Sequence, residues 1–359
     1  MSIWRYADLL HKVPQEHRIS LGEGDTPLIR SRRIGPAAGL RNLFFKLEGG
    51  NPAGSFKDRF ACAAVSGMLA DGKQRCIATS SGNTGAALAA YTAAAGIECH
   101  IAIVETAPLS KLKQMLVYGA NIFRIKGFGL DPVVSEAAFG ELQRMGSRDD
   151  SAVQISAYHF SPAGMTGVQT IAHELAEQAE SPIDHVFAPA GGGGLCVALA
   201  RGFMQKADQG RLDNVPAVEI VQPEGNDTIA SPLRRGDEGA QTVTATTKIS
   251  GLQVPNVIDG HDAVQECRAT GGSGHAVPDD LIWETQARLA REEGIFCEPA
   301  AATALAGALR AAEEDRIARD ANIVCLVTGI GFKDEASIDR MLAGVECPMI
   351  DLDQLREIE

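Results

Sequence analysis

Short apolar runs alternate with helical stretches along most of the chain, and this alternation constrains the fold more than any other feature. Strands are predicted at residues 43–47, 75–79, 98–104, 121–125, 154–156, 185–189, 218–221 and 322–327. Helices of roughly 10 to 15 residues are predicted between most of them. Apolar strands separated by such helices form parallel sheets that are covered on both faces. The sequence therefore predicts an α/β protein.

Two stretches are predicted to be irregular. Residues 161–167 are small and precede a helix predicted at 168–179, so we expect a loop there. Residues 223–274 are rich in Gly, Thr and Asp and show weak periodicity, which predicts a loop-rich excursion with short helices. Several predicted strands end in loops of Gly, Ser and Thr, the position where open parallel sheets bind ligands.

Length and charge limit the possible functions. A chain of 359 residues fits two domains of average size, and its 45% hydrophobic and 22% charged residues are ordinary for a globular enzyme. Its formal net charge of -13 argues against nucleic acid or an anionic membrane as a partner, because both require clustered Lys and Arg. We therefore expect a small-molecule ligand and a local anion site.

Metal and membrane signals are weak. The eight cysteines show no C-x-x-C spacing, which predicts buried small side chains in a reducing compartment. His173-Glu174 lacks the second histidine of an H-E-x-x-H motif, so no metal site is expected. No uncharged apolar stretch reaches the ~18 residues of a membrane span, and the amino terminus lacks the apolar core of a secretory signal. We expect a cytoplasmic protein.

The segment Asn51 to Arg59 (NPAGSFKDR) places a lysine at the start of a predicted helix. Asn-Pro and Ala-Gly indicate a loop, and Ser55 is suited to cap the helix that follows. A cation in the first helical turn opposes the helix dipole, which lowers the pKa of its amine. Lys57 is thereby prepared for Schiff-base chemistry. A solvated lysine on a capped surface helix is the simpler interpretation of this segment alone.

Four consecutive glycines follow a predicted buried strand and precede a helix that begins near Leu195: Gly191, Gly192, Gly193 and Gly194. Free backbone N–H groups at the positive end of a helix dipole form a phosphate cradle. No Gly-Lys-Ser/Thr follows, so this is not a Walker A loop. A dinucleotide loop remains open, because Gly191 and Gly193 have G-x-G spacing and Glu219 in the next strand could hold a ribose.

Two further segments complete a possible site. The loop Ser80, Ser81, Gly82, Asn83, Thr84 and Gly85 offers hydroxyls, an amide and free N–H groups at a helix start, which suits a carboxylate. Thr328 lies between a predicted buried strand and a Gly-x-Gly turn. A phosphate cradle, a carboxylate loop, a lysine and a hydroxyl are together what pyridoxal phosphate bound to an amino acid requires.

The chain resembles the fold-type II pyridoxal-phosphate enzymes of the tryptophan synthase β family and is most similar to the threonine synthases. Six stretches carry the resemblance, in family order: GEGDTPL (22–28), NPAGSFKDR (51–59), SSGNTGAALAAY (80–91), GGGGL (191–195), GIFCEPAAA (294–302) and TGIGFKD (328–334). It implies two three-layer α/β/α domains with the cofactor in the cleft between them. The smaller would comprise residues 60–155, the larger residues 1–59 and 156–359. A homodimer is the default in this family.

The resemblance also implies roles for individual residues. Lys57 would bind the cofactor covalently and act as a base, and Asn83 would hydrogen-bond the 3-oxygen of the pyridoxal ring. Gly191 to Gly194 and Leu195 would bind the phosphate, and Thr328 would face the ring nitrogen. Four residues would hold the substrate carboxylate: Ser80, Ser81, Gly82 and Thr84. A neutral hydroxyl at the ring nitrogen disfavours transamination, so the implied activity is elimination or replacement by a carbon-oxygen lyase.

The chain departs from the threonine synthase pattern in one loop. Threonine synthases usually carry an Asn-Pro-Tyr-Arg-like segment whose arginine helps to bind the substrate phosphate, whereas residues 160–167 (FSPAGMTG) contain no basic residue. The four glycines are more usual in serine/threonine dehydratases. O-Phosphohomoserine remains a candidate substrate if Lys111, Lys113 or Arg59 supplies the charge. The alternatives are a dehydratase or another β-replacement enzyme and, less favoured, an NAD-binding oxidoreductase.

Overall fold

The computed structural model describes residues 2–358 and contains two sheets. Their strands are β1 (Leu28–Arg30), β2 (Asn42–Leu47), β3 (Arg75–Ala78), β4 (Glu98–Val104), β5 (Asn121–Ile125), β6 (Ser151–Val153), β7 (His185–Pro189), β8 (Ala217–Pro223), β9 (Gly274–Val277) and β10 (Asn322–Val327). The larger sheet has the order β1-β2-β10-β7-β8-β9 and the smaller sheet the order β5-β4-β3-β6. All neighbouring strands are parallel except β1 and β2, which confirms the predicted α/β class.

One α-helix follows each of the strands β1 to β7, and two follow each of β8, β9 and β10. The helices are α1 (Ile34–Ala37), α2 (Lys57–Ala70), α3 (Asn83–Ala95), α4 (Leu109–Val117), α5 (Pro132–Gly146), α6 (Pro162–Gln178), α7 (Gly194–Asp208), α8 (Ala230–Arg235), α9 (Gly260–Ala269), α10 (Asp279–Glu293), α11 (Pro299–Glu313), α12 (Glu335–Leu342) and α13 (Leu352–Arg356). Both sheets are covered on both faces, as continuous apolar strands require.

Alternate side chains of the central strands enter different cores. In β10, Val324 and Leu326 join the core with α6 and α7, whereas Ile323 and Cys325 join the core with α10 and α11. In the smaller sheet, α3 and α5 divide the two faces of β3 and β4 in the same way. The strand period of two residues produces this division. One core connects both sheets through α2, α3 and α6.

Two predicted local structures are wrong. The stretch 161–167 is helical, because α6 begins at Pro162. Its small residues serve close helix packing: a β-carbon at Gly164 would lie 2.7 Å from Cε2 of Phe60, and one at Gly167 would lie 2.9 Å from the β-carbon of Ala63. The strand predicted at 154–156 lies at Ser151–Val153 instead, where β6 pairs with β3.

The excursion at 223–274 contains short helices, as predicted, and leads into a strand that was not predicted. It includes α8 and α9, and it ends at β9, which adds an edge strand to the larger sheet by pairing with β8. Strand β9 was not predicted, because its sequence, Gly-His-Ala-Val, is short and not alternating. Among the described residues, no helix combines the length and apolar character of a membrane span. Seven of the eight cysteines are buried, and Cys347 is exposed.

All four candidate segments follow the carboxyl ends of strands. The lysine loop follows β2, the loop at 80–85 follows β3, the glycine run follows β7, and Thr328 follows β10. Strands β2, β10 and β7 are neighbours in the larger sheet, whereas β3 is central in the smaller one. The smaller sheet is built from residues 75–153; the division into domains at 60 and 155 stays a prediction.

Candidate active site

The lysine loop is tied to the segment after β10. Ser55 pairs with Gly329 in an isolated bridge, and the N–H of Ile330 donates to the carbonyl oxygen of Gly54 at 3.0 Å. Gly54 has a φ of 90°, and a β-carbon there would lie 2.9 Å from Cγ2 of Ile330, so glycine is required. Helix α2 begins at Lys57, whose N–H donates to Oγ of Ser55 at 3.3 Å. The predicted position of the lysine in the first helical turn is confirmed.

The amine of Lys57 is desolvated and weakly partnered. Its Nζ donates to Oγ of Ser156 at 2.8 Å and lies 4.5 Å from the centre of the Phe56 ring. Burial lowers the pKa of Lys57 to about 8, against the opposing effect of the Asp259 and Glu298 carboxylates. An ammonium has three donors, and only one is engaged within the described residues. This lysine has the character of a reactive amine.

A short chain of contacts connects Lys57 to the glycine run. Oγ of Ser156 lies 3.5 Å from Sδ of Met165. A β-carbon placed at Gly194 would lie 3.1 Å from Cε of the same methionine and 3.7 Å from Cα of Ala157. The amine and the glycine loop are therefore separated by about one layer of side chains. Sequence reasoning missed Ser156, because no motif distinguishes it from other strand-end serines.

The glycine run forms a cradle at the start of α7. Gly193 has a φ of 96°, and α7 begins at Gly194. Within residues 2–358, the N–H groups of residues 191–194 donate to no protein acceptor. They lie at the positive end of the α7 dipole, which suits a phosphate. Leu195 occupies the first turn and is buried.

Asp259 holds the cradle against the chain before α6. Its backbone N–H donates to the carbonyl oxygen of Gly192 at 3.0 Å. Its carboxylate accepts the N–H groups of Tyr158 at 2.8 Å and His159 at 3.0 Å. A β-carbon at Gly194 would lie 2.7 Å from Oδ2 of Asp259, so the close approach requires glycine. Sequence reasoning missed Asp259, which lies in the loop-rich excursion.

The loop at 80–85 leads into α3 without a capping side chain. Gly82 occupies the N-cap position, and Oγ of Ser80 accepts the N–H of Gly82 at 3.2 Å. The N–H groups of Ser81 and Thr84 have no acceptor within the described residues. A β-carbon at Gly85 would lie 2.7 Å from Sδ of Met115 in α4, which fixes the loop against that helix. The loop keeps the donors that a carboxylate requires.

Asn83 and Gly329, the residue after Thr328, lie against a carboxyl group that was not predicted, that of Glu298. Nδ2 of Asn83 donates to Oε1 of Glu298 at 2.7 Å, across the cleft between the two sheets. A β-carbon at Gly329, next to the buried Thr328, would lie 2.9 Å from Cδ of Glu298. Burial raises the pKa of Glu298 to about 7, although the Asn83 hydrogen bond opposes the shift. Its position at the N-cap of α11, before Pro299, was the available signal.

Arg59 cannot supply a charge to a substrate. Its side chain is fully buried, and its guanidinium bonds Glu48 through Nε and Nη2 at 2.8 Å and Glu174 through Nη1 at 2.6 Å. Lys46 bonds the same Glu174 at 2.7 Å. Burial alone would raise the pKa of Glu174, but Arg59 and Lys46 lower it to about 2. The alternative that Arg59 binds a substrate anion is therefore wrong.

Glu219 is likewise engaged inside the protein. Its carboxylate bonds Nδ1 of His185 at 2.8 Å and Nε2 of His275 at 2.9 Å, and it accepts the N–H of Ser273 at 2.9 Å. Burial opposes ionisation, but the two histidines lower the pKa of Glu219 to about 2. With these acceptor positions occupied, Glu219 is not placed to hold a ribose. Within residues 2–358, no cluster of His, Cys, Asp and Glu could hold a metal ion.

The arrangement fits pyridoxal phosphate in its chemistry. Within the described residues, it provides a desolvated amine, a set of N–H groups at a helix start that donate to no protein acceptor, and a hydroxyl at a strand end. A family model described as pyridoxal-phosphate dependent enzyme matches residues 19–329. The chain belongs to this family.

The sequence similarity of this pyridoxal-phosphate enzyme to its relatives covers most of its length. It is 33% identical to the threonine synthase of Methanocaldococcus jannaschii over 337 residues, which cover 93% of this chain and 81% of the relative. It is 32% identical to the threonine synthase of Mycobacterium tuberculosis strain H37Rv, with 88% and 84% covered. Pyridoxal phosphate is the cofactor of this family, so the interpretation of the glycine run as a dinucleotide loop is set aside.

Solved structures agree with the fold of this pyridoxal-phosphate enzyme. The processed form of threonine deaminase isoform 2 from Solanum lycopersicum superposes with a TM-score of 0.75 at 21% identity, covering 96% of this chain and 94% of that one. Maize serine racemase superposes with a TM-score of 0.73 at 24% identity, with 95% and 93% covered. The enzyme has fold type II.

The pKa of Lys57 predicts the pH dependence of cofactor capture. Only the neutral amine attacks the cofactor aldehyde, so the capture rate should rise with pH and level off above an apparent pKa of about 8. An ordinary lysine, with a pKa of about 10.4, would give a rate that still rises at pH 9 to 10. The measurement is the visible absorbance of apoprotein mixed with pyridoxal phosphate from pH 6 to 10, with N-acetyl-lysine as the control. A profile parallel to the control would contradict a desolvated amine.

Proposed function

We propose that the enzyme catalyses elimination and replacement on an amino acid, as a threonine synthase that converts O-phosphohomoserine and water into threonine and phosphate. One observation carries the proposal. The amine of Lys57, with its pKa lowered to about 8, lies about one layer of side chains from the glycine cradle, and it interacts with the carboxyl group of Glu298, which bonds Asn83 at a second helix start. The threonine synthases of Methanosarcina acetivorans and Synechocystis support the named reaction, because they match at 31% and 33% identity over 99% and 92% of this chain.

Each binding element has a separate task in this proposal. The N–H groups of residues 191–194 bind the cofactor phosphate at the start of α7. The loop residues Ser80, Ser81, Gly82 and Thr84 bind the substrate carboxylate at the start of α3. Asn83, held by Glu298 at 2.7 Å, orients the 3-oxygen of the ring. The two helix starts follow strands of different sheets, so the cofactor phosphate and the substrate carboxylate would be bound from different sides of the cleft.

Proton transfer falls to Lys57. Bound pyridoxal phosphate supplies an aldehyde for covalent attachment and a conjugated ring that stabilises negative charge at the α-carbon of the substrate. Lys57 Nζ, once free, accepts the α-proton. A pKa of about 8 leaves about one amine in ten neutral at pH 7, which is far more than for an ordinary lysine. Oγ of Ser156, 2.8 Å away, keeps the amine on the cofactor side of the cleft.

Thr328 determines which reactions are favoured. With pyridoxal phosphate bound, the neutral hydroxyl of Thr328 would face the ring nitrogen and would stabilise a proton there less than a carboxylate would, which would make the ring a weaker electron acceptor. Reactions that expel a leaving group from the β- or γ-carbon are then favoured over transamination. The enzyme would accordingly act as a carbon-oxygen lyase.

A dehydratase acting on threonine or serine is the second candidate. The observation in its favour is that the region at 160–167 contains no basic side chain and that Arg59 is fully buried in an ion-pair network. A substrate without a phosphate would need neither. This alternative shares the same cofactor, base and carboxylate loop.

Product analysis tests the proposal and separates the two candidates. The purified enzyme, saturated with pyridoxal phosphate, is given O-phosphohomoserine, threonine or serine, and phosphate, threonine, ammonia and keto acid are measured. We expect phosphate release from O-phosphohomoserine that equals the threonine formed. Ammonia and keto acid from threonine, without phosphate release from O-phosphohomoserine, would instead identify the dehydratase.

A further inference from the structure

Two lysines other than Lys57 carry their charge to the same cleft. Lys111 lies in the first turn of α4, beside the smaller sheet, and Lys333 follows β10 of the larger sheet. Both amines interact electrostatically with the buried Glu298, which bonds Asn83. The proposed chemistry at Lys57 uses neither of them.

The side chain of Lys111 lies between the loop at 80–85 and the glycine run. On α4 it precedes Met115 by one turn, and Met115 packs against Gly85 of the loop at 80–85. Its Nζ crosses the cleft and bonds Oγ of Ser250. The next residue along, Gly251, places its carbonyl oxygen 3.2 Å from a β-carbon at Gly191. Lys111 therefore spans the two elements between which a bound amino acid would extend.

Lys111 retains hydrogen-bonding capacity. An ammonium has three donors, and Nζ of Lys111 uses two, one to Ser250 and one to Oδ2 of Asp334 at 3.3 Å. The hydroxyl proton of Ser250 has no acceptor among residues 2–358, and the side chains of Lys111 and Ser250 are both only partly buried. One ammonium N–H and one O–H thus remain for an additional acceptor at the same point.

The local charge balance admits an anion. The amines of Lys111 and Lys333 face the carboxylate of Asp334 and two buried carboxyl groups, those of Glu298 and Asp58. Burial raises the pKa of Glu298 and of Asp58 to about 7, so the two acids are partly neutral at neutral pH. Lys333 is also near: its Nζ bonds Oε1 of Gln114 at 2.6 Å, and its other donors have no acceptor within the described residues. The negative charge of the three acids therefore does not exceed the positive charge of the lysines.

We propose that Lys111 and Ser250 bind a distal anionic group of the substrate, a phosphate, with Lys333 as the neighbouring cation. This inference rests on the proposed function and assigns to Lys111 the charge that the region at 160–167 lacks. The other basic candidates do not reach the cleft. Arg59 is fully buried in its ion pairs, and Lys113, which is 71% exposed, points to Glu335 at 3.6 Å.

Lys113 provides a matched control for the test. It is two residues from Lys111 on the same helix, carries the same charge and also pairs with a carboxylate. The probes are 2-amino-5-phosphonopentanoate, whose carbon-phosphorus bond cannot be eliminated, and norvaline, which lacks the phosphonate. Dissociation constants are measured by calorimetric titration of the cofactor-loaded wild type and of Lys111→Ala, Lys111→Arg and Lys113→Ala.

We expect Lys111→Ala to weaken phosphonate binding by about tenfold to a hundredfold, the usual effect of a charge-assisted hydrogen bond. Norvaline binding should change less than twofold, since only the anion is recognised by this lysine. Lys111→Arg should restore part of the selectivity, and Lys113→Ala should leave both constants near the wild-type values. Ser250→Ala should reduce the same selectivity by a smaller factor and provides the test if Lys111→Ala does not fold.

Two results would overturn the proposal. If Lys111→Ala lost affinity equally for both probes, the lysine would only hold the cleft closed. If the wild type bound norvaline more tightly than the phosphonate, no anion site would exist. Failure of the proposed function would be seen in a different measurement. A wild-type protein that takes up no cofactor, by its visible absorbance, would refute the enzyme assignment, whereas unaltered selectivity in a protein with cofactor bound refutes only the anion site.

Discussion

Replacement of Lys57 by alanine is expected to reduce the rate of product formation by at least about a thousandfold, because one side chain both attaches the cofactor and transfers the α-proton. The variant should still fold, since the amine makes one hydrogen bond to a protein acceptor, to Ser156. The measurements are turnover with the preferred substrate and borohydride reduction followed by mass spectrometry, which marks covalent cofactor on the wild type only.

Lys73→Ala is the control for this experiment. Lys73 lies just beyond the other end of α2, where its amine bonds the carbonyl oxygen of Asp149 at 2.9 Å in an exposed position. The control should keep both covalent cofactor and activity. If Lys57→Ala retained cofactor after borohydride reduction, another lysine would be the attachment point, and the assignment of the site would be wrong.

Replacement of Arg59 by leucine is expected to destabilise the protein by about 3 to 5 kcal/mol, because two buried carboxylates lose their main partner. Arg59 bonds Glu48 and Glu174 at 2.6 to 2.8 Å, and all three side chains are at most 1% exposed. Lys46 alone cannot balance both acids, and it bonds only Glu174 of the two. The measurement is urea unfolding of the apoprotein, followed by circular dichroism.

Arg75→Leu tests whether burial is the cause. Arg75 also contacts two acids, Glu98 at 3.1 Å and Asp150 at 3.5 Å, but its side chain is 41% exposed. Water solvates the acids that it leaves behind, so the unfolding midpoint should change little. A comparable loss in the two variants would refute the argument that the Arg59 network depends on its exclusion from water.

Local sequence patterns predicted most of the strands and the positions of the four site segments. The bounds of β4, β5, β7 and β10 match the predicted ranges, because each is a short apolar run bounded by polar or turn residues. The patterns failed where tertiary packing overrides local preference. The small residues at 161–167 resemble a loop in isolation, but they allow α6 to approach α2 closely.

The supporting residues of the site could not be predicted from such patterns. Ser156, Asp259 and Glu298 are far apart in the chain. Ser156 and Asp259 belong to no distinctive motif, and Glu298 lies in the stretch 294–302, which assigns it no role. Each acquires its role through a contact with a distant element: Ser156 with Lys57, Asp259 with the backbone of Gly192, and Glu298 with Asn83. These contacts join residues 67 to 215 positions apart, and such contacts are not encoded in local periodicity.

The sequence by itself determined the α/β class, the lysine at a helix start and the glycine run, because strand period, helix propensity and the absence of β-carbons act over a few neighbouring residues. Only the tertiary structure decided which charges are free to act. It buried Arg59 among carboxylates, enclosed Glu219 between two histidines and left Lys111 with an unused donor at the cleft. The physical reason is that solvation and pairing depend on distances between elements, and the fold alone sets those distances.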